Sequence, residues 1–122
     1  MSNPYYKKLI KFKSLLKKYI EAGINSENAQ NLYFESRKYN LKNISINALS
    51  YCLGERDRLW NNRNRMRDKM KRISNKINKT IYGLKFEFGI SHFSGHQSGI
   101  YESENKENRE LMIEWINNHP NN

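Results

Sequence analysis

Valine is missing altogether from the 122 residues, proline occurs only as Pro4 and Pro120, and cysteine only as Cys52. A lone thiol has no partner for a disulfide, which fits a reducing compartment. With no histidine or other base near it in sequence, Cys52 reads as a small buried hydrophobe and not as a nucleophile. Long apolar runs are missing too. The N-terminus interleaves lysine with its apolar residues, so no secretory signal is expected, and no stretch is apolar enough to span a bilayer. The expected location is the cytoplasm, with no membrane partner.

Aspartate is confined to Asp57 and Asp68, both inside a strongly basic run, so no Ser-His-Asp arrangement can be assembled. His92 and His96 stand four apart in a glycine-rich segment, without a carboxylate or cysteine at a ligand-like interval, and His119 lies near the C-terminal end. The segment "SGHQSG" lacks the Lys-Ser/Thr of a phosphate-binding loop. These gaps argue against an enzyme, a bound metal and a cofactor. The missing valine, set beside abundant Asn, Lys, Ile and Tyr, reads as the bias of an AT-rich genome and points toward a mobile element or an AT-rich microbe.

What is present suffices for one folded unit, residues 1–122. Eight Tyr, five Phe and two Trp in a chain that is 37% hydrophobic supply a modest core and exclude wholesale disorder. A net charge of +10, with a pI near 9.8, exceeds what solubility needs and attracts polyanions. Charge is divided unevenly: residues 1–54 carry +6, residues 55–79 carry +7, and residues 80–122 carry −3.

Periodicity predicts a mainly helical α+β domain. A first helix opens at Asn3 and Pro4, carries Tyr5, Leu9, Phe12, Leu16 and Tyr19 on one face, and ends at Gly23. A stripe of this kind, followed by further helices, belongs to a core and not to a membrane surface. A second helix is capped by Ser26, carries Leu32, Tyr33, Phe34 and Tyr39, and ends near Asn40. A short third helix occupies 43–54, and Gly54 turns the chain into a long basic helix over 55–79. Helix, glycine, basic helix is the outline of a helix-turn-helix, with Leu53, Gly54 and Trp60 suitably placed. Arg63 stands where that motif packs an aliphatic residue, so an ordinary helix pair joined at glycine is the simpler reading.

After Thr80 the period falls to two. Leu84, Phe86, Phe88 and Ile90 alternate with Lys85, Glu87 and Gly89, predicting a strand that returns near "IY" as a small β-hairpin. A last, acidic helix from about Glu104 to Asn118, capped by Ser103 and stopped by Pro120, puts Leu111, Met112, Trp115 and Ile116 on one face and Glu107, Glu110 and Glu114 on another.

The basic helix has two faces of interest. Leu59, Met66, Met70, Ile73 and Ile77 make a narrow apolar seam, best covered by the chain's own helices. Homodimerisation through the seam is disfavoured because Arg67, Lys69 and Lys76 would flank it and repel. One step round the helix, Arg58, Arg65, Lys69, Arg72, Lys76 and Lys79 form a ridge, with Asn62 filling its gap. Like charges at this spacing disfavour a helix, so the ridge suits an external anion. Three carboxylates of the last helix are too few to neutralise six cations. The implied function is a small regulator or accessory protein of a phage or mobile element that contacts DNA or RNA phosphates, free or in a nucleoprotein complex. The rival reading is an inhibitor that docks on an acidic protein surface of a nucleic-acid-handling host enzyme, such as a defence nuclease.

Overall fold

A computed structural model of the chain describes residues 4–38, 40–81 and 102–119. Two long helices, α1 (Pro4–Ser36) and α2 (Ile46–Ile81), pair as an antiparallel hairpin, and a 3₁₀ turn (Glu102–Glu104) leads into α3 (Lys106–Asn118). At about 1.5 Å per residue the two long helices run roughly 50 and 54 Å. The described residues are 89% helical and contain no strand, which replaces the expected α+β class with an all-helical one. The positions assigned to the hairpin, together with His92 and His96, lie outside the described residues.

Four expected helices are in fact two. Helix α1 passes straight through Gly23 and Ser26, where one helix was expected to stop and the next to start, and α2 passes straight through Gly54. That continuity excludes a helix-turn-helix at this position. A helical glycine costs only about 0.5–1 kcal/mol relative to alanine, too little to break a long helix. Gly23 has a positive reason to be there. A Cβ on it would run into the backbone and hydroxyl of Ser103, so the 3₁₀ turn can lie against α1 only at a residue without a side chain.

The turn between the long helices is built locally. Asn43 holds a left-handed φ of 66°, a conformation asparagine tolerates, and Asn40 Oδ1 accepts from the Lys42 amide at 3.0 Å. Ser45 then caps α2, its hydroxyl accepting from the Ala48 amide. The long basic helix expected from Glu55 therefore begins nine residues earlier, and Glu55 and Asp57 lie well inside α2.

The seam read from the sequence is largely core. Met70, Ile73 and Ile77 are buried against Phe12, Leu15, Leu16 and Tyr19 of α1, while Leu59 and Met66 are half-buried. Met112 and Trp115 of α3 close the cluster, with the Trp115 ring edge-on to Phe12 at 5.1 Å. Each large side chain fully buried here contributes about 1.5–3 kcal/mol. All of this core belongs to the base of the hairpin, since no described side chain from Gln30 to Lys69 is buried.

A polar clamp fixes α3 to that base. Glu104 is buried and pairs with Arg67 of α2 through both oxygens, at 2.9 and 3.0 Å, while Ser26 of α1 donates to it at 2.6 Å. Ser103 is no helix cap. Its hydroxyl donates to the Tyr19 carbonyl at 2.8 Å, and the cap is Asn105, which accepts from the amides of Glu107 and Asn108. Arg109 completes the clamp by donating to Glu27 and to the Ser103 carbonyl.

Candidate anion-binding face

All six ridge residues, Arg58, Arg65, Lys69, Arg72, Lys76 and Lys79, are exposed along one side of α2. They differ in what they already hold. Arg58 pairs with Glu55 at 2.9 Å within its own helix, and its hydrogen bond holds the Glu55 carboxyl below its ordinary value. Arg65 donates to Asn62 Oδ1 at 3.3 Å. Among the described residues, no carboxylate forms an ion pair with Lys69, Arg72, Lys76 or Lys79. Those four are the part of the ridge available to an external anion.

The acidic helix does not neutralise them. Helix α3 packs along α1 and the 3₁₀ turn instead of along α2, and Glu107, Glu110 and Glu114 are exposed. None of the three reaches a ridge cation among the described residues.

The antiparallel pairing adds cations from the first helix that the ridge of α2 did not include. Lys18 of α1 meets Lys69, Arg72 and Lys76 around a cleft of about 480 Å³ that Glu21, Ala22 and Ile73 also line. Further toward the base, Lys8 and Lys11 meet Lys76 and Lys79 around a second cleft of about 500 Å³, floored by Leu15 and Thr80. Seven cations from two helices thus converge on one face, with Glu21 the only carboxylate lining either cleft among the described residues. Lys8, Lys11 and Lys18 flank the apolar stripe of α1 at intervals of three and seven. That spacing was legible, but its meaning depends on which helix lies alongside.

The opposite groove has a different chemistry. There Glu104 bridges Ser26 and Arg67, and Gln30 Oε1 accepts from Arg67 at 2.8 Å and from Arg63 at 3.4 Å. Trp60 lies beneath the Arg63 guanidinium at 4.7 Å and against Tyr33 at 4.9 Å. Burial, and then the nearby Arg67, hold the Arg63 guanidinium below its ordinary value. No described helix is long and apolar enough to cross a membrane.

No protein-family model, curated protein or solved structure matches the chain. The face described above therefore rests on its own geometry.

Proposed function

We propose that the protein binds nucleic acid by seating backbone phosphates in the two clefts between α1 and α2, as a regulator or accessory protein of the kind carried by a phage or mobile element. One observation supports this above all: seven cations from two helices line the two clefts, with a single carboxylate among the described residues. Holding like charges together disfavours the compact state, and a polyanion offsets that cost by releasing its counterions when it binds. Six of the seven are lysines, which meet phosphate as point charges and carry no base code, so binding is expected to be independent of sequence.

The test replaces Arg65, Lys69 and Arg72 together with Gln and titrates a short duplex and a short single strand across salt concentrations. Each lost phosphate contact lowers the log–log salt slope by about 0.9 for duplex and about 0.7 for single strands. An affinity and slope equal to the parent's would leave the face a solvated surface and end this reading.

One observation favours the rival, an inhibitor that docks on a nucleic-acid-handling host enzyme. The end of the hairpin near the 37–45 turn exposes Leu32, Phe34, Ile46, Tyr51, Leu53 and Trp60. Capture from host lysate with and without nuclease treatment separates the two readings: partners lost on digestion support nucleic acid, and one stoichiometric protein that survives supports the inhibitor.

A further inference from the structure

The groove that holds the 3₁₀ turn continues toward the tip of the hairpin, and no described residue fills it there. Along it, in order, Glu104 sits over Ser26 and Arg67, Gln30 joins Arg67 to Arg63, Arg63 covers Trp60, and Trp60 meets Tyr33, which in turn touches Phe34 at 5.8 Å. The chain fills the base half of this groove with a buried carboxylate and apolar side chains. In the tip half the cations and the apolar surface persist, but among the described residues no buried carboxylate does. Arg63 has two amide oxygens and an indole ring for partners, and no described carboxylate pairs with it. Ile46, Leu53 and Trp60 stand at intervals of seven along α2 and are 85%, 45% and 41% exposed.

We propose that the tip half of this groove docks an acidic amphipathic helix of a partner protein. An apolar seam with a seven-residue repeat takes a helix alongside, whose own apolar residues cover Ile46, Leu53 and Trp60. Its carboxylates take at Arg63 the place that Glu104 takes at Arg67. The flanking charge agrees: between Leu32 and Arg63 stand Arg37, Lys38, Lys42, Arg56, Arg58 and Arg63, against Glu35, Glu55 and Asp57. A second copy of this chain would bring the same cations together, which opposes self-association. Nucleic acid suits the surface less well, because bases stack on planar groups and two of the three seam residues are aliphatic. The inference stands independently of the phosphate-binding reading, which concerns the opposite groove.

The test uses the full chain and two synthetic helices that share a leucine seam at heptad spacing, one flanked by Glu and one by Lys. The Glu peptide is expected to shift the amide resonances of Phe34, Leu53 and Arg63 and the indole resonance of Trp60. The Lys peptide should bind at least about tenfold more weakly. Leu53→Asp changes an exposed side chain, so it should keep the parent's melting temperature while weakening the Glu peptide about tenfold or more. Arg63→Gln should narrow the difference between the two peptides. Equal binding of both peptides, no shift with either, or shifts confined to residues 69–79 would overturn the proposal. So would a concentration-dependent dimer that Leu53→Asp abolishes, or a single-stranded oligonucleotide that moves the Trp60 indole more tightly than the Glu peptide does.

Discussion

Gly23 lies directly beneath the backbone of Ser103, so close that a single added methyl group on α1 would displace the 3₁₀ turn. Gly54, the other glycine within the long helices, has nothing within 4 Å of where its Cβ would stand. One substitution should therefore act with opposite sign at the two sites. Gly23→Ala overpacks a backbone contact and should cost about 1–3 kcal/mol, while Gly54→Ala should stabilise by about 0.5–1 kcal/mol through helix propensity. Urea unfolding midpoints of the two variants check this, and a destabilised Gly54→Ala would mean that its surroundings are more crowded than described.

The Glu104–Arg67 pair should behave as a buried one. Glu104→Ala leaves a guanidinium that is 17% exposed facing an empty site, and should cost about 3–5 kcal/mol. Arg67→Ala should cost a similar amount, and the double variant clearly less than their sum, because neither charge is then left alone. Thermal unfolding of the three variants supplies the coupling energy. Additive losses would show that the pair contributes nothing as a pair.

Seam and ridge on α2 should separate cleanly. Met70 is fully buried, so Met70→Ala should cost about 2–5 kcal/mol and Met70→Asp should unfold the domain, as should Ile73→Asp. The triple Gln variant at Arg65, Lys69 and Arg72 alters only exposed side chains and should melt within a few degrees of the parent. Far-ultraviolet circular dichroism on heating distinguishes the two classes.

The α1 lysines should count as much as those of the ridge. Replacing Lys8, Lys11 and Lys18 with Gln should lower nucleic-acid affinity and flatten the salt slope at least as much as the ridge variant, since it takes three cations from the two clefts where the ridge variant takes Lys69 and Arg72 from one. An unchanged slope would confine binding to α2.

These variants also mark where the sequence could be read and where it could not. The spacing of Met70, Ile73 and Ile77 was enough to place them in the core, because a helical period constrains a face whatever packs against it. The glycines misled. Gly23 and Gly54 were read as stops, yet a long helix absorbs a glycine at small cost, and the purpose of Gly23 lies 80 positions further along, at Ser103. Glu104 looked like the first residue of an acidic, solvated helix; that it is buried against Arg67 depends on a tertiary approach that no local pattern records. Lys8, Lys11 and Lys18 were missed for the same reason, since a flank becomes half of a cleft only when α2 lies beside it.

Because every buried side chain among the described residues of the hairpin lies between Phe12 and Ala29 on α1 and between Met70 and Thr80 on α2, the two halves of the rod differ in how firmly they are closed. The stretch around the 37–45 turn is held by helical hydrogen bonds, the half-buried Tyr33–Trp60 contact and the Arg56 bond to the Ser36 carbonyl. Such a region opens on its own at a free energy well below that of global unfolding. Its backbone amides should exchange with solvent deuterium long before those near Tyr19 or Ile77, and a ligand gripping the tip would slow that exchange locally while leaving the base as it was.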